Sequence, residues 1–248
     1  MQDLKISIIT VCHNAESTIK DCIESVKSQN YTNLEYIVID GGSTDKTINI
    51  VNNYAHYVNY FISEPDRGIY DAMNKGINLA TGDIVGMLNA DDYFADNSVL
   101  SNIADAFGKY NADIIYGDLD YINAKGLVVR KWRSGQISRR KLEFGWMPPH
   151  PTFYCKRYLF KQLGPYRLDY GTAADYELMI RYLYINKLTV HYLKKIIIKM
   201  KLGGKSNKNI TARVKGMFFD LKAMRNNGIR LPFIALIVKP VRKITQYF

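Results

Sequence analysis

Cysteine is scarce in this chain of 248 residues. The three thiols, Cys12, Cys22 and Cys155, are odd in number and widely spaced, which argues against a disulfide framework and against a Cys-rich metal site. A reducing compartment fits best. Long apolar runs are missing near the start as well: MQDLKISIITVCHN has one lysine before a short apolar stretch that ends at His13 and Asn14, too short for a signal-peptide core or a membrane span, and it reads as a first strand. No G-x-G-x-x-G follows that strand, and no G-x-x-x-x-G-K-[ST] occurs anywhere, so dinucleotide-binding and P-loop readings fall away. Internal repeats and low-complexity linkers are absent too. Acids are nearly absent from one region: from Lys194 to Phe248, 14 Lys or Arg face a single acid, Asp220, a net of +13. The preceding residues hold 20 basic against 22 acidic side chains, a net of −2, so the basic character belongs to the C-terminal segment.

What is present is apolar material for a sizeable core, 47% of residues, arranged in alternating periods. Ile6, Ile8, Ile9 and Val11 mark a strand, Ile19, Cys22, Ile23 and Val26 recur at helical spacing, and Leu34 to Asp40 is a second strand. GGSTDKT then supplies a turn and a helix start ahead of Ile48 and Val51. A short strand at Tyr60 to Ser63, a helix over Ile69 to Ala80, a Thr81-Gly82 stop and the strand Ile84 to Leu88 complete a βαβαβαβ order. Such an order implies an α/β fold with an open, mostly parallel sheet whose ligands sit outside the carboxyl ends of the strands. Further on, Ser98 to Tyr110 reads as a helix. Ile114 to Gly117, Asp120 to Asn123 and Leu127 to Lys131 read as short strands, which makes the sheet mixed, and helices are expected near Lys156 to Leu163 and Ala174 to Leu183.

Two acidic positions sit where such a sheet binds ligands. Asp40 ends the second strand, placed either to accept from a base or ribose group or to form the turn before its glycines. Asn89-Ala90-Asp91-Asp92 opens the loop after the fourth strand; adjacent carboxylates repel unless a cation or donors neutralise them, and Mg²⁺ or Mn²⁺ takes one or two carboxylates plus phosphate oxygens. A helix-capping Asp or a solvated loop explains the pair equally well on its own.

Taken together and in order, ISIITVCHN, VIDGGSTDKT, SEPDRGIYDAMNKGINLATGD, LNADD, PPHPTFY and DYEL resemble the inverting glycosyltransferases of family 2, with the GT-A fold, over about residues 4 to 183. The resemblance implies a GT-A domain over residues 1–203, with a nucleotide-sugar half to about 118 and an acceptor half after it, followed by a basic extension over 204–248. It implies a UDP-sugar donor contacted by Thr10 and Asp40 at the nucleobase and ribose and by Arg67 and Lys75 on the diphosphate side. Asn89, Ala90 and Asp91 would complete that donor site, with a divalent metal (Mn²⁺ or Mg²⁺) on Asp91 and Asp92 as a second ligand. Asn89 stands where the family's D-x-D pattern begins with Asp; an amide accepts from ribose or a metal-bound water without adding charge. The family's Glu-Asp pair appears as Ala174-Asp175, leaving Asp175 as the matching base that takes the acceptor's proton; without the resemblance it reads as a helix N-terminal acid. In WMPPHPTFY, Trp146 and Phe153 are candidates to stack on a sugar and His150 to bond its hydroxyls, or else the stretch is a Pro-ordered core loop. LGGKSN reads either as a loop closing over the nucleotide or as a plain linker.

The tail LPFIALIVKPVRKITQYF sets apolar residues beside cations and is broken by Pro232 and Pro240, which suits an interfacial segment on an acidic membrane surface rather than a span. The resulting expectation is a cytoplasmic enzyme, peripheral on the inner face of the plasma membrane, that moves a hexose or N-acetylhexosamine to a glycan or lipid-linked acceptor in surface-polysaccharide synthesis. Nucleic acid is not expected as a partner, since between Lys194 and Asn227 only Phe218 and Phe219 are aromatic, adjacent to each other and suited to the core. The competing readings are a nucleic-acid-binding or scaffold protein with an inactive body, and a nucleotide-sugar hydrolase acting through Asp91 and Asp92.

Overall fold

The computed structural model describes residues 4–186, 188–202, 210–242 and 246. In chain order the elements are β1 (Ile6–Cys12), α1 (Ile19–Lys27), β2 (Leu34–Asp40), α2 (Thr47–Asn52), β3 (Tyr60–Ser63), α3 (Ile69–Leu79), β4 (Ile84–Asn89), β5 (Asp92–Phe94) and α4 (Val99–Tyr110). They continue with β6 (Ile114–Ile122), β7 (Val128–Trp132), α5 (Arg139–Glu143), β8 (Tyr154–Lys156), α6 (Tyr158–Leu163), α7 (Ala174–Ile180), β9 (Val190–Lys201), α8 (Ile210–Asn226) and α9 (Pro232–Val241).

One sheet organises the chain, in the order β3-β2-β1-β4-β8-β6-β9-β5, with β7 paired to β6. β1 to β4 are mutually parallel, whereas β8 runs antiparallel to both β4 and β6. Strands buried on both faces read as continuous apolar runs, and that is why β1, β2 and β4 are legible as such. Alternate residues divide between two cores. Ile8, Val38 and Leu88 pack with α1 and α4, while Ile9, Ile39 and Met87 pack with α3, α6 and α7. A third cluster joins Tyr116 of β6, Leu142, Trp146 and α7 to Ala223, Met224 and Ala235 of α8 and α9. Truncating any fully buried member such as Ile9 would cost about 2–5 kcal/mol.

Gly86 allows the switch from parallel to antiparallel pairing, because a side chain there would collide with the Tyr154 ring on the neighbouring β8. The expected mixed α/β sheet is observed; β5, β8 and β9 join it beyond the strands expected, and two further points differ. The strands expected at Ile114 to Gly117 and Asp120 to Asn123 are one strand, β6, irregular in its pairing with β9 around Asp118 rather than turned; the Asp118 carboxylate accepts from Ser134 N and the Tyr192 hydroxyl, so its burial is compensated. The start of the basic segment, from Lys194 to Lys201, lies within β9 beside β6, so those lysines flank a sheet strand. The LGGKSN loop lies almost wholly outside the described residues, as does the expected boundary between domain and extension. No helix among the described residues is long and apolar enough to cross a membrane.

Candidate active site

The chain winds from β1 outward to β3 and then returns to the other side of β1 as β4, so the strand order reverses between β1 and β4. In open α/β sheets the crevice at that reversal, outside the carboxyl ends, is where ligands bind. Strand register lines up Val11 with Asn89, Cys12 with Asp40, and Asp40 with Ser63 along this edge.

The loops above the edge are stitched by side chains. Asn14, with a left-handed φ of 50°, accepts from Thr44 N at 2.9 Å, while its own N–H donates to Ser43 Oγ at 2.8 Å. Between the same two loops, Glu16 N donates to the Asp45 carboxylate at 3.1 Å and Lys46 N donates to the Glu16 carboxylate at 3.0 Å. Asp40 accepts from Gly42 N at 3.1 Å, Ser43 N at 2.9 Å, Ser63 Oγ at 2.7 Å, the Ser43 hydroxyl and the Cys12 thiol. Burial works to raise its pKa, yet these donors, Ser43 foremost, hold it below the usual carboxylate range. Its lone pairs are therefore spent on the turn. Next to it, a side chain at Gly41 would strike the Asp66 carboxylate, so glycine there lets the loop after β3 close down on the loop after β2.

Three other expected donor contacts stand as follows. Thr10 is fully buried mid-strand, accepting from the Tyr36 hydroxyl at 3.1 Å and facing Cys22 Sγ at 3.6 Å; the α1 side of the core, not the cleft, receives its side chain, which corrects its expected ligand contact. Lys75 pairs with Glu64 at 2.7 Å and donates to Pro65 O at 3.1 Å, so its ammonium pins the loop from α3. Arg67 stands at the rim, its side chain 78% exposed and paired with Asp71 of the first turn of α3 at 2.9 Å.

At the end of β4, Asn89 Nδ2 donates to Asp92 Oδ2 at 3.1 Å, leaving Asn89 Oδ1 and Asp92 Oδ1 buried with no partner among the described residues. Burial first, and the neighbouring Asp91 second, push the Asp92 carboxyl well above its ordinary range. Ala90 is buried between them, and Asp91 is half-buried. Orphaned buried oxygens are costly, and a carboxylate beside two of them is chemistry that suits a hard divalent cation. No group of three or more metal-ligating side chains forms among the described residues, so a cation here would share its coordination with ligand oxygens.

The second cluster comes from the other half. Pro148 and Pro149 lead into a tight turn, His150–Thr152, fastened by the Thr152 hydroxyl to Gly117 O and Pro149 O. Because β8 pairs antiparallel to β4 with Tyr154 opposite Gly86, this turn comes alongside the carboxyl end of β4. His150 Nδ1 lies 3.5 Å from Asp175 Oδ2, the carboxylate in the first turn of α7. Tyr70, three residues beyond Arg67, donates from its hydroxyl to Thr172 O at 3.4 Å, and burial together with Asp175 pushes its pKa well up. The rim carrying Arg67 and the start of α7 carrying Asp175 are thus brought together by one side chain. Trp146 is not part of this surface: it is 9% exposed, edge-on to Tyr116 at 5.8 Å and packed with α7 and α9, so a sugar has no face of it to stack on. Phe153 is likewise buried.

Sequence reasoning missed Tyr70 and a buried pair behind Asp175. Glu177 binds Arg181 at 2.9 Å and Arg167 at 3.2 Å, and Arg181 reaches the carbonyls of Leu163, Gly164 and Pro165. The i,i+4 spacing of Glu177 and Arg181 was the available signal.

The profile of Glycosyl transferase family 2 matches residues 7–166. A PGL/p-HBAD biosynthesis glycosyltransferase of Mycobacterium tuberculosis is 31% identical over 233 residues, covering 92% of this chain and 88% of its own length. An uncharacterized glycosyltransferase of Rickettsia typhi is 28% identical over 205 residues, covering 79% of this chain and 64% of its own. Among solved structures, S. aureus TarS 1-349 in complex with UDP superposes with a TM-score of 0.73 at 18% identity, covering 98% of this chain and 72% of that one. The mannosyltransferase PcManGT from Pyrobaculum calidifontis, solved with GDP-Man and Mn²⁺, gives 0.68 at 18%, covering 95% of this chain and 69% of that one.

Proposed function

The chain belongs to glycosyl transferase family 2 and is a glycosyltransferase, and from that premise we propose that it transfers a hexose or N-acetylhexosamine with inversion from a UDP-sugar. The acceptor in this reading is a glycan or lipid-linked hydroxyl in cell-surface polysaccharide synthesis, on the inner face of the plasma membrane. The observation that carries the reading is that the turn bearing His150, 3.5 Å from Asp175, comes alongside the carboxyl end of β4. Asp91 stands at the end of β4, and Asp175 is led beside that end by His150 and tied to the donor rim through Tyr70.

In this mechanism the turn held by Asp40 and the loop pinned by Lys75 shape the nucleotide cleft, and Arg67 reaches from the rim to the diphosphate. Asp91, with the free oxygens of Asn89 and Asp92, would hold Mn²⁺ or Mg²⁺. Such an ion supplies Lewis-acid neutralisation of the charge that grows on the leaving diphosphate. Across the sugar, Asp175 accepts the proton of the acceptor hydroxyl as its oxygen attacks the anomeric carbon and the bond to the diphosphate breaks. A single displacement inverts the anomeric configuration.

Calorimetry of UDP and UDP-sugars with and without Mn²⁺, in wild type and Asp91→Ala, tests the donor half. Metal-dependent UDP binding that disappears in the variant is the expected result. No UDP binding under any metal condition would overturn the UDP-sugar reading.

A further inference from the structure

The C-terminal helices expose what soluble surfaces bury. Val214, Met217 and Phe218 stand on one side of α8, at the helical spacing that continues through Leu221 to Arg225; Phe218 is 65% exposed. Phe233, Ile234 and Ile237 stand out from α9, Ile237 at 70% exposed, and Leu231 precedes them. The Arg225 guanidinium lies 4.9 Å from the Phe233 ring centre, so the two exposed faces join into one. Contiguous apolar side chains on this scale mark an interaction surface.

The opposite side of α8 is fixed to the catalytic half. Phe219 closes on Gly171, Ala223 and Met224 are buried against α7, and Asn227 donates to Glu177. Lys222 pairs with Asp169 at 2.7 Å, and Lys239 of α9 pairs with Asp220 at 2.7 Å while lying over the Tyr176 ring. The exposed face is therefore rigidly related to the helix that begins with Ala174 and Asp175.

Charge identifies the occupant. The apolar face is set among exposed Lys215, Arg225 and Arg230, and residues 210–242 hold seven Lys or Arg against Asp220 alone, a net of +6. A second copy laid face to face would oppose two such segments, whereas an acidic bilayer takes both the cations and the apolar side chains. We propose that α8 and α9 dock the protein on the surface of an acidic bilayer and hold the Asp175 site over the headgroups, so that the acceptor is lipid-anchored. The acceptor class rests on the reading of Asp175 as the acceptor base.

The test floats the full-length protein with vesicles of phosphatidylcholine, with or without phosphatidylglycerol. Wild type should float with the acidic vesicles alone and be released by salt. Phe218→Glu combined with Ile237→Glu should bind about tenfold or more weakly, from the lost apolar burial. The milder pair Phe218→Ser with Ile237→Ser should also weaken binding, with an unchanged melting temperature showing that the fold is intact. Absence of flotation by folded wild type overturns the docking, as does flotation that neither pair reduces. So does self-association in sedimentation, or retention of DNA, that the acidic pair abolishes. UDP calorimetry on the same samples separates the two readings: UDP binding without flotation sinks the docking alone, and flotation without UDP binding sinks the donor reading alone.

Discussion

The donor edge and the acceptor edge of this protein are built by different means. Around β1, β2 and β3, short polar side chains bond loop backbone, Asp40 and Asp45 within their own turn and Asn14 across to Thr44, and the residues involved fall in two contiguous motifs. Around Asp175, the positioning contacts come from three other parts of the fold: His150 from the turn before β8, Tyr70 of α3 through Thr172, and Asn227, just past α8, through the neighbouring Glu177. The first region should tolerate distant change and fail by local substitution; the second should transmit packing defects to the chemistry.

The largest expected effect breaks the two regions apart functionally. Asp175→Asn should lower transfer by roughly 10²–10⁴-fold, the range for loss of a general base, while UDP binding measured by calorimetry stays within error of wild type. Equal loss of both would mean that the two edges are not separable, and retained turnover of the UDP-sugar would favour the hydrolase reading.

Next is the buried charge behind the base. Glu177→Ala leaves Arg181, 5% exposed, without its carboxylate, and removal of one partner of a buried pair costs about 3–5 kcal/mol. Thermal unfolding should show a large drop. Replacing both residues, Glu177→Met with Arg181→Met, should recover much of it; a drop as deep in the double variant would show that the carbonyl contacts of Arg181, not the pair, carry the stability.

The same contrast governs what the sequence revealed. Strands β1, β2 and β4, helices α1 and α3 and the mixed α/β class follow from apolar periods and turn residues, because both faces of those strands are buried and each turn is chemically local. The short β5 is not legible: three residues including buried Asp92 form a strand only because β9 lies alongside. Among site residues, the structure puts Asp91 in the turn after β4 and His150 3.5 Å from Asp175 at the start of α7. Thr10, expected to contact the nucleobase, is buried, and of the two readings of the Trp146 stretch the core loop fits that side chain, since residue type does not tell which side of a strand or loop the core will claim. Tyr70 escaped notice because its contact with Thr172 spans the fold.

Smaller and on the donor side is an acid-sensitive lock. Glu35 accepts from Lys5 at 3.0 Å, Ser7 at 2.5 Å and Thr81 N at 2.8 Å, tying β1 and β2 to the turn before β4. Burial works to raise its pKa, but those donors together hold it at about 2. A depressed carboxylate contributes stability above its unfolded pKa, and that contribution is lost as pH falls from about 4.5 through about 2. Glu35→Gln should therefore lower stability by about 2 kcal/mol at neutral pH and flatten the acid limb of the denaturation midpoint against pH. A limb as steep as in wild type would place the acid sensitivity elsewhere.

The smallest effect probes the acceptor side most finely. His150 Nδ1 stands 3.5 Å from Asp175, too long for a strong hydrogen bond but close enough to steer the carboxylate once an acceptor tightens the site. As a positioning residue it should act on turnover rather than donor affinity. His150→Ala should lower kcat about tenfold, roughly 1.4 kcal/mol, with the donor KM unchanged. His150→Gln keeps an amide donor near the carboxylate and should restore part of the rate. A purely packing role predicts the opposite pattern: both variants lose melting temperature, and Gln rescues nothing. Since the turn carrying His150 is fastened through Thr152 to Gly117 and not through the imidazole, the packing role has little to act on, and the kinetic split is the expected outcome.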